Sequence, residues 1–150
     1  MLNTKTAPAT LGPSALVNDL NKDLCREFQA IVRDTQFAAS IEGATRPQIA
    51  DLFRREIADE LQHAHFLADK IAALGGERTT TVPPVSTSRD ARQMLDMVAV
   101  AEREDVGAYT RRAREAEQAG ETGLKVQLEN IVLDETRHLE EVSKILAGWR

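Results

Sequence analysis

Cysteine and long apolar runs are scarce in this sequence, and each scarcity excludes a class of protein. A single cysteine, Cys25, rules out an internal disulfide and a metal site built from cysteines alone. No stretch approaches the roughly 20 apolar residues that a membrane-spanning helix needs. Residues 1–17 contain one lysine and no apolar block, unlike a secretory signal. We therefore expect a reduced protein of the cytoplasm with no membrane partner.

Aromatic residues are also few, and the composition favours long helices. They make up 4% of the chain, charged residues make up 29%, and Ala, Glu, Arg and Leu recur throughout. The net charge of −5 and the pI of about 5.3 show no general nucleic-acid surface, so a nucleic-acid partner is not expected. At 150 residues the chain suffices for one domain with its own core.

Apolar residues recur at helical spacing in four segments, which predict four helices. The second helix has the form of a capping box at its start, because Thr45 is followed by a proline and then by Gln48. Residues 1–13 lack periodicity and are predicted to be a flexible tail that precedes a helical domain at 14–150. The four predicted helices run from Ser14 to Gly43, from Thr45 to Gly75, from about Ser88 to Gly120, and from Thr122 to Gly148.

The connections predict how these helices are arranged. The first and last connections are short, so each flanking pair of helices forms an antiparallel hairpin. Residues 77–88 contain two prolines and no helical period, which predicts an extended connection. An extended connection of about 14 residues reaches roughly 45 Å, and a helix of about 27 residues is roughly 40 Å long. We therefore predict an all-α four-helix bundle with one long crossover between the second and third helices.

One pentapeptide pattern occurs twice and contains two of the three histidines. DELQH at residues 59–63 and DETRH at residues 134–138 both read Asp-Glu-x-x-His, at an offset of 75 residues. The same offset separates Glu27 from Glu102, and each of them lies 33 residues before the glutamate of the following pattern. The two halves of the chain thus look like copies of one helical hairpin.

Helical spacing places six of these side chains on the apolar faces that form the core. A single Glu-x-x-His on a helix is usually a surface feature, but two copies on core faces, each preceded by a core-facing glutamate at one distance, are hard to reach by accident. The first and third helices each contribute a glutamate, and the second and fourth each contribute a Glu-x-x-His pair. The six residues are Glu27, Glu60, His63, Glu102, Glu135 and His138.

This residue set predicts a centre for two metal ions. Carboxylates isolated in a low-dielectric core cost several kcal/mol each, so four of them need compensating cations, and two divalent ions supply that charge. Residues at i and i+3 lie side by side on a helix, so each Glu-x-x-His pair offers an oxygen and a nitrogen to one metal. This is the ligand set of di-iron and di-manganese carboxylate bundles, and it suits iron or manganese better than a metal that prefers thiolates.

The motifs resemble those of the bacterioferritins and related ferritin-like di-iron proteins over nearly all of residues 15–147. The matching stretches are CREFQAIV, DELQH, AEREDVGAY and DETRH. The resemblance implies a ferritin-like bundle that holds two iron ions per subunit, with manganese as the alternative. It also implies that Glu60 and Glu135 bridge the two metals, that Glu27 and His63 complete one position, and that Glu102 and His138 complete the other.

The chain departs from that family pattern at three places. Haem-binding members carry methionine directly after the ligand glutamate of the second helix, whereas this chain has Leu61, so haem is not expected. Many relatives carry tyrosine seven residues after each first-helix glutamate; Tyr109 follows this pattern and Asp34 does not. Only twelve residues follow His138, too few for the fifth helix of 24-subunit shells. The resemblance implies a homo-oligomer, and a dimer, a 12-subunit shell and a 24-subunit shell all remain open.

Several further polar residues lie near the predicted centre. Asp59 and Asp134 are candidates to accept the outer N–H of the ligand histidines, and Tyr109 to donate to a ligand carboxylate. Glu56, one turn before Glu60, could line a path for entering cations. Asp34 and Asp105 are expected as acids near the core, and Glu104 as a solvated acid. His65 is expected at a solvent or subunit-interface position, and Cys25 as a structural or interface thiol. An exposed helix face is expected at Arg111, Arg112 and Arg114.

Three functions are compatible with these patterns. The leading hypothesis is a ferroxidase-type protein that oxidises Fe²⁺ to Fe³⁺ with O₂ or H₂O₂ for iron storage or detoxification. The alternative is a di-iron or di-manganese oxidoreductase, such as a peroxidase, catalase or oxygenase, without mineral storage. The third is a structural shell that coats DNA, which the acidic balance and a tail with one lysine, Lys5, argue against.

Overall fold

The computed structural model describes residues 12–149, and within this range the chain is helical without a β-strand. The predicted all-α four-helix bundle is confirmed. Most of the predicted tail at 1–13 lies outside the described residues, as does residue 150; within them, Gly12 precedes the first helix and Pro13 begins it. The helices are α1 (Pro13–Ser40), α2 (Arg46–Ala73), α3 (Ala91–Gln118) and α4 (Thr122–Gly148).

Glycines follow the ends of α2 and α3, and an aspartate caps the start of α3. Gly75 and Gly120 have φ of +78° and +76°, which a residue without a Cβ adopts at no steric cost, and they close α2 and α3. The carboxylate of Asp90 accepts the backbone N–H of Gln93 at 2.7 Å and caps α3. The predicted capping box at Thr45 was wrong. Thr45 has helical backbone angles (φ −85°, ψ −2°), and its side chain makes no cap hydrogen bond.

The connection between α2 and α3 runs along α1 as an extended segment. Asn21, near the start of α1, donates to the carbonyl of Glu77 and accepts the N–H of Thr79, both at 2.8 Å. Further along, Gln29 donates to the carbonyl of Pro84 at 2.8 Å. Because the segment passes from the start of α1 towards its end, α2 and α3 run in the same direction. This is the predicted long crossover.

Two apolar clusters fill the two ends of the bundle. One contains Phe37 and Phe53, whose ring centroids lie 5.6 Å apart, together with residues from the start of α3. The other joins leucines from the first half of α1 to the last parts of α2 and α3 and to the start of α4. On each helix, the candidate ligand residues lie between the buried residues of the two clusters. None of the described helices combines the length and apolar character needed to cross a membrane.

Candidate metal centre

The structure brings all six predicted ligand side chains together in the middle of the bundle. Each is buried, with an exposed fraction between 1% and 5%. Their ligand atoms form two groups in which every atom lies within 4.8 Å of the others. One group contains Glu27, Glu60, His63 and Glu135, and the other contains Glu60, Glu102, Glu135 and His138.

Two glutamates, Glu60 and Glu135, belong to both groups, and each directs one oxygen to each histidine. The oxygens of Glu135 lie 3.0 Å from His63 Nδ1 and 3.5 Å from His138 Nδ1. The oxygens of Glu60 lie 3.5 Å and 3.8 Å from the same two nitrogens. Glu27 approaches only His63, at 3.6 Å, and Glu102 approaches only His138, at 3.8 Å. The arrangement therefore has two shared carboxylates and one terminal carboxylate on each side.

The outer nitrogen of each histidine contacts an aspartate from the other half of the chain. His138 Nε2 lies 3.0 Å from Asp59 Oδ2, and His63 Nε2 lies 3.3 Å from Asp134 Oδ2. A proton on Nε2 that is donated to a carboxylate leaves the Nδ1 lone pair free for a metal. The two aspartates thus orient both Nδ1 atoms toward the carboxylates.

Several buried polar atoms at the centre have no hydrogen-bond partner among the described residues. They are the Nδ1 atoms of both histidines, both oxygens of Glu135, and one oxygen each of Glu27 and Glu102. An unsatisfied buried polar atom costs roughly 1–3 kcal/mol, and more when it is charged. The lone pairs of these oxygen and nitrogen atoms are the ones that metal coordination would use, so the side chains present fit a pair of divalent cations.

Burial and mutual repulsion change the protonation of the four glutamates. Burial raises the pKa of Glu27 and Glu60, and it raises the pKa of Glu102 to about 7. Burial and the charge of Glu60 act to raise the pKa of Glu135, but contacts with both histidines and with Glu102 outweigh them and lower that pKa. Burial opposes the charged form of His138, yet its contacts with Glu102 and Glu135 raise its pKa to about 12. Without metal, the imidazoles therefore hold protons that a bound cation would replace.

The surroundings of the two terminal glutamates differ. The hydroxyl of Tyr109 donates to Glu27, in agreement with the predicted contact to a ligand carboxylate. The position equivalent to Tyr109 in the first half is Asp34, which is buried and accepts from Arg33 at 2.7 Å and 3.2 Å. Arg33 also approaches Glu102, at 3.7 Å. Glu27 thus contacts a phenol, and Glu102 is approached by the arginine of a buried ion pair.

Glu56 links the centre to the protein surface. Its side chain is buried, and neither carboxylate oxygen has a hydrogen-bond partner among the described residues. Burial raises its pKa to about 9. It lines a surface pocket of about 340 Å³ together with Asp59, His138 and Glu141. A path for entering cations past Glu56 stays a prediction.

Three charged residues beside the centre, Arg112, Asp23 and Arg26, were missed by the sequence reasoning or assigned to the wrong environment. Arg112, expected on an exposed face, is buried and donates to Asp23 at 2.7 Å. That expectation was wrong because Arg112 follows Tyr109 by three residues and therefore shares its core-facing side. Asp23 also accepts from Arg26, which in turn donates to Asp105 at 2.5 Å. Asp23 precedes Glu27 by one turn, and this spacing was the available signal.

Four residues that were expected outside the core lie at the surface. Glu104, His65, Arg111 and Arg114 are exposed. Leu61, at the position where haem-binding relatives have methionine, is 46% exposed. Cys25 is half-buried against the crossover, with its Sγ atom 3.5 Å from Thr79 Oγ1.

Comparison with known proteins identifies the fold and the family. The sequence family described as Ferritin, a ferritin-like domain, matches residues 17–150. A ferritin-like di-iron-carboxylate protein from Bacillus anthracis is 37% identical, with a TM-score of 0.87 over 89% of this chain and 96% of that one. No significant match is found among curated proteins.

Two more distant structures share the fold. A dodecameric thioferritin, the bacterioferritin-related protein of Bacteroides fragilis, is 22% identical, with a TM-score of 0.82 over 92% of this chain and 88% of that one. The bacterioferritin of Desulfovibrio desulfuricans is 24% identical, with a TM-score of 0.84 over 90% of this chain and 80% of that one. The family match over residues 17–150 and the 37% identity to the Bacillus anthracis protein show that the chain belongs to the ferritin-like domain family.

Proposed function

We propose that this chain binds two iron ions at the buried centre and oxidises Fe²⁺ to Fe³⁺ for iron storage or detoxification. The observation that carries the proposal is the sharing of Glu60 and Glu135 between two ligand groups, each completed by its own glutamate and histidine. Two adjacent cation positions allow two electrons to leave together. Iron is the substrate, and manganese is the alternative metal.

In the proposed reaction, two ferrous ions each lose one electron. The acceptor is dioxygen, which becomes hydrogen peroxide, or hydrogen peroxide, which becomes water; in each case it takes two electrons and two protons. The chain's own residues position the metal ions, balance their charge and leave coordination sites open. Asp59 and Asp134 hold the histidines in place, and Tyr109 holds Glu27.

Ferrous oxidation by substituted proteins tests this proposal. Glu60→Ala removes a shared ligand and His138→Ala removes a terminal one, so we expect either variant to lose most of the rate at which ferric absorbance appears. Glu104→Ala is the matched control, because Glu104 is an exposed acid of α3 two residues from Glu102. Rates equal to the unsubstituted protein in the Glu60 and His138 variants would refute the proposal.

A surface pocket favours a second candidate, an oxidoreductase that acts on a small organic substrate. The pocket has a volume of about 460 Å³ and lies between α1, the crossover and α3. Arg33 and Ala101 line it, so one wall is formed by the residue before Glu102 and by the arginine that approaches Glu102. A substrate in this pocket would sit beside the metal centre.

Metal analysis combined with light scattering separates the candidates. We propose that the chain forms a homo-oligomer. A shell of several hundred kilodaltons that retains many ferric ions would support storage. A small dimer that keeps two metals per chain would support the oxidoreductase. A shift of DNA in a gel at moderate salt would support the DNA-coating shell. The cytoplasmic location remains a prediction.

A further inference from the structure

The surface pocket between α1, the crossover and α3 is built mainly from apolar side chains. Its volume of about 460 Å³ suits a small molecule. It is separate from the pocket of about 340 Å³ beside Glu56, which lies against α2 and α4. The apolar residues that line it are Pro84, Val85, Met97, Val100 and Ala101. Such a lining favours a ligand that is itself largely apolar.

The two charged residues of the lining, Arg33 and Asp96, already have partners of opposite charge. The Nε and Nη2 atoms of Arg33 donate to the two carboxylate oxygens of Asp34, at 2.7 Å and 3.2 Å. Asp96 lies at the rim, with 59% of its side chain exposed, and is 4.0 Å from Arg92. A charged ligand would break one of these pairs or leave its own charge without a partner. An uncharged ligand avoids this cost.

Three polar side chains of the wall have hydrogen-bonding groups that no contact among the described residues occupies. The ion pair of Arg33 leaves its Nη1 atom as a donor. The amide of Gln29 donates to a carbonyl of the crossover at 2.8 Å, which leaves its own carbonyl oxygen as an acceptor. The carbonyl oxygen of Gln93 accepts from Ser88 at 2.7 Å, which leaves its amide as a donor. These groups complement a ligand with carbonyl or hydroxyl oxygens.

The pocket shares a wall with the candidate metal centre. Ala101 precedes Glu102 on α3, and the Nη2 atom of Arg33 lies 3.7 Å from Glu102 Oε1. A molecule that accepts a hydrogen bond from Arg33 is therefore separated from a candidate metal ligand by one guanidinium group. Because the proposed reaction moves two electrons, one from each of two iron ions, an organic partner that matches it exchanges two electrons. A quinone and its hydroquinone are an uncharged, largely apolar couple of this kind.

We propose that this pocket binds a quinone or its hydroquinone, and that the hydroquinone returns electrons to iron that the centre has oxidised. One hydroquinone loses two electrons and two protons; its two O–H bonds break, and two C=O bonds form. Two ferric ions each take one electron and become ferrous, and the protons pass to water at the open mouth of the pocket. Gln29 accepts from a hydroxyl of the hydroquinone, and Arg33 donates to a carbonyl of the quinone. The step rests on the proposed ferrous oxidation, which supplies the ferric ions, and it adds a route by which iron leaves.

Calorimetric titration of the metal-free protein with duroquinone tests the site without turnover. Duroquinone is fully methylated and does not add thiols, so Cys25 does not interfere. We expect saturable binding, and we expect Val100→Glu to weaken it by about tenfold because a charge enters the apolar wall. Val126→Glu is the matched control: the two valines are 52% and 50% exposed, but Val126 lies on α4 outside the pocket. Absence of saturable binding, or the same Kd in both variants, would overturn the site.

The ligand class and the hydrogen bond from Arg33 are tested in the same way. We expect a benzoquinone sulfonate, an anion, to bind at least about tenfold more weakly than duroquinone, because the wall offers it no free cation. Arg33→Met with Asp34→Asn removes the donor without leaving a single charge and should weaken duroquinone binding by about fivefold. An anion that binds as tightly as duroquinone, or a double variant with unchanged affinity, would overturn the assignment. Should the double variant fail to fold, Gln93→Ala removes the other donor at an exposed position and decides the same point.

Anaerobic reduction of the ferric protein by duroquinol tests the electron transfer. A ferrous chelator reports the product, and below saturation we expect Val100→Glu to slow its appearance by about tenfold, in line with its weaker binding, while Val126→Glu matches the unsubstituted protein. Equal rates in all three proteins would overturn the step. Normal ferrous oxidation without quinone binding would remove this inference and leave the proposed function. Quinone binding without ferrous oxidation would remove the proposed function and the electron transfer, and leave the binding site.

Discussion

At the residue scale, the aspartates Asp59 and Asp134 control the histidines through contacts between the two halves of the chain. His138 on α4 contacts Asp59 on α2, and His63 on α2 contacts Asp134 on α4. Both aspartates are partly exposed, with 36% and 39% of their side-chain surface accessible, and both contact Arg137. They can therefore be substituted without opening the apolar core.

Replacing one aspartate should weaken the metal position of the histidine that it contacts. We expect Asp59→Ala to lower the affinity for Co²⁺ by about 10- to 100-fold, because His138 loses the carboxylate that orients its ring. Affinity is measured by anaerobic titration of the metal-free protein with Co²⁺, followed by visible absorption. Arg137→Ala is the control, since its 61% exposed side chain contacts Asp59 but not the histidine. Equal effects of the two substitutions would show that the orientation of His138 does not depend on Asp59.

Glu56 should make the stability of the metal-free protein depend on pH. Its folded pKa is raised to about 9, whereas an unfolded glutamate ionises near 4.5. The folded state therefore retains a proton that the unfolded state releases. The contribution of Glu56 to stability is fully present below about pH 4.5 and is lost as the pH rises toward 9.

Urea unfolding of the metal-free protein across this pH range measures the effect. Between the two pKa values, a single group changes the free energy of unfolding by up to about 1.4 kcal/mol per pH unit. We expect Glu56→Gln to gain stability relative to the unsubstituted protein as the pH increases from 5 to about 9, because glutamine does not ionise. A difference that is constant with pH would show that Glu56 is not held neutral in the fold.

At the element scale, the crossover depends on polar contacts with α1. None of residues 77–88 is fully buried, and Asn21 makes two hydrogen bonds to their backbone. The side chain of Asn21 thus supplies one donor and one acceptor to the backbone of the connecting segment. Gln29 makes a single bond of the same kind.

Substituting these two residues should affect the crossover unequally. We expect Asn21→Ala to lower the free energy of unfolding by about 1–3 kcal/mol and to increase proteolysis within 77–88, since two backbone groups lose their partners. Gln29→Ala removes one bond and should cost about half as much. Limited proteolysis with mass spectrometry locates the cuts. Equal cleavage in both variants and in the unsubstituted protein would contradict this view.

At the scale of the whole molecule, the metal centre is a polar layer between two apolar clusters. Four buried glutamates destabilise the metal-free fold, because burial opposes their ionisation and raises the pKa of three of them. The two clusters at the ends of the bundle offset this cost. Cations that bind only the folded state should therefore stabilise it.

Removal of a shared carboxylate should separate stability from metal binding. We expect Co²⁺ at about 100 times its Kd to raise the free energy of unfolding by roughly 2.7 kcal/mol per site. Glu60→Gln should show no such rise, yet its metal-free form should be at least as stable as the unsubstituted protein, because a buried acid is gone. Thermal melts with and without Co²⁺ provide the measurement. A destabilised metal-free Glu60→Gln protein would contradict this account.

The sequence by itself determined the helices, the crossover and the position of the centre. Helical periodicity is a local property, so the apolar faces could be read directly, and the 75-residue offset placed Glu27, Glu102 and the two Glu-x-x-His pairs on those faces. Glycines with positive φ ended α2 and α3 near the predicted positions for the same local reason. The capping box at Thr45 failed because its hydrogen bonds depend on the backbone angles at that residue, which the sequence pattern does not determine.

Only the tertiary structure decided which residues from different helices meet. It paired each histidine with the aspartate of the other half, buried Arg112 against Asp23, and placed Arg33 between Asp34 and Glu102. These contacts join residues far apart in the sequence, and long charged side chains reach in directions that helical spacing alone does not set. The contacts around the centre are therefore a property of the packed bundle, whereas the six candidate ligands are a property of the repeated sequence.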